Sequence, residues 1–310
     1  MLNTMIAKKR LRAIFYLLLG IVFTLMITGC GSEDEAGSNE EQSISDAVDY
    51  TITGIEPGAG ITATTETAIK EYDALKGWTL EQSSTAAMAA ELDKAIAKEE
   101  PIIITGWNPH WTFAKYPDMK YLEDPKEIYG GEEIIASLAR KGLKEDKPNA
   151  YKLIDQFHWD VEDMESIMYE SKDTGDDIAE VAKRWVADNP EKVAAWVEGV
   201  EDVDGVKVTL VSTPWDSERS SSNVLKHVME QKGFEVEITP VDVAVVFESI
   251  ANGDGDATLA AWLPVTHKKF YDQYQDKFDD LGENLKGAKI GLVVPAYMDI
   301  DSIEDLEAKK

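Results

Sequence analysis

Only one cysteine, Cys30, occurs in the 310 residues. A lone cysteine excludes an internal disulfide and any cysteine-rich metal centre. Positive charge is scarce too: 31 Lys and Arg stand against 59 Asp and Glu, for a net charge of −28. That balance argues against a nucleic-acid partner, which needs a basic face, and against charge-driven docking on anionic lipid. Acidity on this scale bears on solubility more than on ligand. The N-terminal apolar run, Ala13–Ile27, is short for a spanning helix, which needs about 20 residues. There is no GxSxG elbow, no HExxH pair and no GxxxxGK phosphate loop, so the chain offers no common local signature of an enzyme. Nothing in it calls for a cofactor.

What is present begins with an address. Lys8, Lys9, Arg10 and Arg12 precede the apolar run, which ends in Ile27-Thr28-Gly29-Cys30. A basic region, an apolar region and small residues before a cleavage point describe a signal peptide over residues 1–29. The cysteine at that point resembles a bacterial lipobox, which implies lipid on Cys30 and a membrane anchorage. An uncleaved N-terminal anchor is the alternative, and either puts the body outside the cytoplasmic membrane. Residues 30–47 are rich in acid, Ser and Gly and read as a flexible tether.

The remaining chain, 44% hydrophobic overall, is long enough for two lobes. It contains a β-α-β-α-β pattern twice. In the first copy, a strand at 50–55 leads into Glu56-Pro57-Gly58-Ala59-Gly60-Ile61 and a helix over 62–75. A strand at 78–82 and a helix with Met88, Leu92, Ala95 and Ile96 on one face follow. A buried strand at 102–105 then stops at Gly106 and delivers Trp107 into a loop stiffened by Pro109. The second copy runs from Val206–Ser212 through Thr213-Pro214-Trp215, a helix, a strand at 234–238 and a helix with Val243, Val246, Phe247 and Ile250 on one face. It ends in the strand into Trp262 and Pro264. Trp107 and Trp262 are 155 positions apart, as are Pro109 and Pro264, and Tyr116 and Tyr271. Residues 132–200 between the copies read as mostly helical, with Trp185 and Trp196 at core spacing. One more buried strand is expected at 289–295.

Ligand crevices of open α/β sheets lie beyond the carboxyl ends of the strands, where both copies present a Trp. Trp107, Trp215 and Trp262 can form an aromatic cage, which suits a quaternary ammonium without requiring a protein carboxylate; three core tryptophans are the bland alternative. His267, with the backbone N–H groups of Gly60 and Ile61, offers donors to an anion. Together the two pockets fit a small zwitterion. A metal site pairing His110 with His267 lacks a third ligand, and His110 is taken as structural. Asp216 and Glu218 read as helix-start acids or as a contact between lobes.

The strings GIEPGAGI, SSTAAMAAEL, PIIITGWNPHW, PWDSE and AAWLPVTHK, continued by GLVVPAYM and SIEDL, resemble the glycine betaine-binding lipoproteins of bacterial osmoprotectant ABC importers. The resemblance implies an α/β, two-lobed periplasmic-binding-protein fold of type II, each lobe a β-sheet flanked by helices, with the ligand in the cleft. Lobe 1 is expected at 48–120 plus 286–310 and lobe 2 at 121–285. It also implies trimethylammonium held by Trp107, Trp215 and Trp262, and a carboxylate held by Gly60, Ile61 and His267. The implied partners are glycine betaine, or else proline betaine, carnitine or choline, and the importer's permease and ATPase. The binding protein itself would be a monomer. A sensor or adhesin using the same cleft is the rival reading. The chain departs from the family pattern at Thr213-Pro214, where Val-Ala is expected, and at Val245–Phe247, where a Met-Trp pair is expected.

Overall fold

A computed structural model describes residues 42–310. The leader, Cys30 and the tether as far as residue 41 lie outside the described residues. The expected tether to residue 47 is too long, because Ile44–Ala47 is already a helical turn capped by the Ser43 hydroxyl. Ser45 is buried and accepts the Glu307 N–H at 2.8 Å, so the turn is tied to the C-terminal segment.

The two β-α-β-α-β units are both formed. The first is β1 (Thr51–Thr53), helix Gly60–Glu71, β2 (Thr79–Glu81), helix Thr85–Lys98 and β3 (Ile104–Asn108). β4 (Met119–Tyr121) and β5 (Glu133–Arg140) follow, then five helices between Leu143 and Trp196. The second unit is β6 (Val206–Ser212), helix Asp216–Gln231, β7 (Phe234–Pro240), helix Val243–Asn252 and β8 (Ala257–Leu263), and β9 (Phe278–Pro295) closes the sheet. In each unit the first strand is central, pairing in parallel with the second and third: β1 with β2 and β3, β6 with β7 and β8. An antiparallel strand from outside the unit then covers its third strand. β5 covers β8, and β9 covers β3. The halves therefore read β2-β1-β3-β9-β4 and β7-β6-β8-β5-β9, the same order twice. This is the type II periplasmic-binding-protein arrangement. Along β9, pairing passes from β5 to β3 between Ala288 and Lys289, so one strand serves both halves.

Three expectations change. The strand expected to stop at Gly106 runs on to Asn108, and Trp107 lies within it, opposite Ile290. Gly106 is there for close approach and not to end the strand: a Cβ on it would stand 2.4 Å from Val293 Cγ2. Residues 133–140, inside the stretch read as mostly helical, form β5, whose short apolar run is buried between β8 and β9. The last strand begins at Phe278, eleven residues earlier than expected, because its polar first part is held by β5. The helical tryptophans do pack as core: Trp185 stacks on Trp196 at 6.0 Å, Trp159 meets Trp185 edge-on, and Trp196 Nε1 donates to the His158 carbonyl.

Asp256 pins the second half together. Its buried carboxylate accepts from Arg140 Nε on β5 at 3.0 Å, Lys147 Nζ at 2.7 Å and the Thr209 N–H on β6 at 2.9 Å. Those donors hold its pKa below the ordinary value although burial pushes the other way. Asp256→Ala strands two cations and a backbone donor, and is expected to cost about 3 kcal/mol in urea denaturation. A loss within error of zero would show that the network is merely a surface feature.

Candidate functional site

The first helices of the two units begin differently. Gly60–Glu71 has Ala59 as its N-cap, no side-chain cap and no acid in its first turn. An alanine cap leaves helix-start donors unsatisfied. The Gly60 and Ile61 N–H groups, both on buried residues, have no protein acceptor among the described residues. Asp216–Gln231 starts after Trp215 and carries Asp216 and Glu218 in its first turn. One helix end is open to an anion and the other already has its acids.

Trp107 and Trp262 are each the next-to-last residue of a strand, β3 and β8, and both are buried; Trp215 is half-buried at its helix start. All three, with Gly60, Ile61 and His267, line one cavity. The structure thus brings together all six candidate ligand contacts, from both halves. Trp107 and Trp262 are not loop residues, so the rigidity of the sheet positions them directly.

The two indoles of the second half donate to carboxylates. Trp262 Nε1 donates to Glu218 Oε1 at 2.7 Å, and Trp215 Nε1 to Glu56 Oε2 of the first half at 3.4 Å. Sequence reasoning passed over both acids as ligand-site residues. Asp216 is indeed a helix-start acid, paired with Arg219 at 3.2 Å and Lys172 at 3.5 Å. Glu218 is neither simply that nor a contact between halves: it is buried beside the cavity, and Ser217 Oγ donates to its Oε2 at 2.6 Å. The one available signal was its spacing from Trp215 in PWDSE.

His267 is held at Nδ1, which stands 3.1 Å from both the Trp262 N–H and the Ala260 carbonyl. These contacts demand opposite tautomers. An unpaired buried N–H is the rarer defect, so Nδ1 accepts from Trp262 and the ring hydrogen sits on Nε2. Nε2 has no protein partner among the described residues and lies on a ring that lines the cavity. Burial lowers His267 to about 4, so it acts as a neutral donor. Phe247, one of the departures from the family pattern, packs edge-on against it at 5.8 Å. The turn before His267 is set by Glu133, whose Oε1 accepts the Val265 and Thr266 N–H groups, both at 2.8 Å.

The glycine at 60 has its own explanation. A Cβ there would lie 2.4 Å from the Thr266 carbonyl oxygen and 2.5 Å from its Cγ2. Absence of a side chain lets the first half's helix start meet the second half's turn. His110, expected to be structural, caps the Trp111–Lys115 helix through Nδ1 and lies 4.4 Å from Trp107, centroid to centroid. Among the described residues no group of three His, Cys, Asp or Glu is placed to hold a metal.

A family model for the substrate-binding domain of ABC-type glycine betaine transport systems matches residues 33–188 and 206–310. The chain belongs to that family. It is a family of transport receptors and not of enzymes. The glycine betaine/carnitine transport binding protein of Listeria monocytogenes is 47% identical over 292 residues, covering 94% of this chain and 96% of the relative. Among solved structures, lactococcal OpuAC, closed on glycine betaine, is 47% identical over 48% of this chain and 58% of its own, with a TM-score of 0.46. The glycine betaine/L-proline-binding protein of Borrelia burgdorferi is 32% identical over 49% of this chain and 57% of its own, with a TM-score of 0.44. This chain therefore spans less than two thirds of either solved structure.

Two measurements follow from this geometry. Gly60→Ala forces a carbon against backbone and is expected to cost about 1–3 kcal/mol in urea denaturation, with faster hydrogen exchange at the Val265 and Thr266 amides. Unchanged exchange would mean that the Thr266 turn does not bear on Gly60. Burial also lowers His110, to about 3, with Lys172 adding to the effect. A histidine that is neutral when folded binds its proton only in the unfolded chain between the two pKa values, so stability falls with pH. Folding stability should thus be full above 6.5 and fall as pH drops towards about 4, where His267 protonates in the folded state, with His110 extending the loss to about 3. His267→Gln should flatten the upper part of that slope in melts between pH 4 and 7, and an equal slope in both proteins would remove His267 from the account.

Proposed function

We propose that this protein binds glycine betaine and delivers it to the permease and ATPase of an ABC importer. It would do so as a monomer held on the outer face of the cell membrane by lipid on Cys30. One observation carries the ligand reading. The cavity has three indoles, and beside them two uncapped helix-start N–H groups and a neutral histidine donor. A trimethylammonium has no N–H to donate, so aromatic faces suit it better than hydrogen-bond acceptors do; each cation–π contact is worth about 0.5–2 kcal/mol, most when water is excluded. A carboxylate needs the reverse, and a helix start supplies it: aligned N–H groups and the positive end of the helix dipole. The two needs sit at opposite ends of one molecule of a few ångströms. Carnitine is the second reading, favoured by the name of the Listeria relative, a glycine betaine/carnitine transport binding protein; it keeps both charged groups on a longer chain.

Residues from both halves contribute at both ends. Trp107 joins Trp215 and Trp262, and Gly60 with Ile61 joins His267. Capture by closing of the two halves follows from that division, because neither half alone encloses either group.

Calorimetric titration of residues 31–310 tests the reading. Glycine betaine should bind, choline should bind far more weakly for want of a carboxylate, and Trp262→Ala should lose at least about 1–2 kcal/mol of betaine affinity. Equal affinity for choline would overturn the assigned roles of Gly60, Ile61 and His267. Unchanged affinity in Trp262→Ala would overturn the cage.

A further inference from the structure

Glu218 is a buried carboxylate without a counter-ion. It is 2% exposed, and it forms no ion pair with any Lys, Arg or His among the described residues. Its hydrogen-bond partners are neutral: Trp262 Nε1 at 2.7 Å and Ser217 Oγ at 2.6 Å. Buried charges in proteins are ordinarily paired, because removing a carboxylate from water is costly unless an opposite charge replaces the lost hydration. This one instead lines the cavity, next to the indole whose N–H it accepts. The missing partner and the empty space are in the same place.

We infer that Glu218 is the counter-charge of the bound quaternary ammonium and the residue that makes the cage select a cation over a neutral group of equal shape. This rests on the betaine reading of the cavity and adds to it a second source of cation preference. Aromatic faces alone attract a cation through a quadrupole, whereas a carboxylate attracts it through a full charge in a site from which water is largely excluded. The hydrogen bond to Trp262 joins the two effects, since a negative acceptor on the indole N–H polarises the ring towards a richer π face. Glu56 does the same for Trp215 across the halves, but at 3.4 Å and only partly buried, so Glu218 carries the selectivity.

The titratable and charged groups around Glu218 are few. His267 and Glu56 are the others near the cavity, and Asp216 one turn earlier is committed to Arg219 and Lys172. Burial raises Glu218 above the ordinary carboxylate value, with Ser217 and Trp262 pulling against it. A cation arriving in the cage must lower it again, so binding of a cation should release a proton from this group.

The test compares glycine betaine with 3,3-dimethylbutanoate, which keeps the carboxylate and replaces the nitrogen with carbon. Both are titrated calorimetrically into the wild type and into Glu218→Gln, whose amide oxygen can still accept from Trp262. The ratio of the two affinities is expected to fall by about tenfold to a hundredfold in the variant, through loss of betaine affinity while the carbon analogue binds as before. An unchanged ratio, or equal losses for both ligands, overturns the inference and leaves the betaine reading standing. Failure of the wild type to bind glycine betaine overturns both. Should the variant not fold, wild-type titrations between about pH 6.5 and 7.5, where the carboxyl groups of both ligands are ionised, in buffers of different ionisation heat decide the matter. Proton release with betaine and none with the carbon analogue is expected, and identical proton counts for the two ligands overturn the inference.

Discussion

The site depends on one close approach, that of the Thr266 carbonyl to Gly60. It brings a helix start from the first half against a turn from the second, and each end of the cavity is shared between them. Had Gly60 a side chain, the Ile61 N–H and His267 could not face one space. Glu133 supports the approach from below by fixing the two amides of the turn. A single missing carbon and one buried carboxylate thus set the distance between the halves beside Ile61 and His267.

The duplication explains why the two ends differ. Ala59 and Trp215 occupy equivalent positions, each the N-cap of its unit's first helix and each lacking a side-chain cap bond. In the first unit the cap is a methyl group and the first turn carries no acid, which exposes N–H groups and the positive end of the dipole. In the second the cap is an indole, and the first turn carries Asp216 and Glu218. Two helix starts with similar extended caps thus have opposite electrostatic character, set by three or four side chains. The sheet is symmetric, while the chemistry along the line between its halves runs from positive to negative.

Much of this was legible from the sequence because it is local. The strand, tryptophan and proline of each copy sit within a few residues, and the helix stripes repeat at 3.6. What escaped reading depends on partners far along the chain. β5 is a short apolar run that becomes a strand because β8 and β9 flank it. The first part of β9, with its Asp, Glu, Lys and two glycines, has no intrinsic strand preference and is made a strand by β5. Gly106 and Gly60 looked like turn residues, and only tertiary contact shows that each makes room for a neighbour. Glu218 was discounted because acids at helix starts are common, and burial is a property that spacing does not report.

That omission bears on how such a cage works. A quaternary ammonium offers no hydrogen bond, so it is natural to expect only aromatic faces around it and to treat any carboxylate as incidental. Two carboxylates nevertheless stand behind the indoles, accepting their N–H groups. An indole N–H left unpaired in a buried site would cost about 1–3 kcal/mol. A backbone carbonyl or a hydroxyl would have met that need, as the His158 carbonyl does for Trp196 in the core. Placing an acid there instead gives the ring a negative backing and the cavity a net charge. It also leaves a carboxyl whose burial raises its pKa, so that a proton or a cation must offset its charge. On the betaine reading proposed above, the cage would be more than three apolar surfaces: its rings would separate a negative wall from a space that suits a cation.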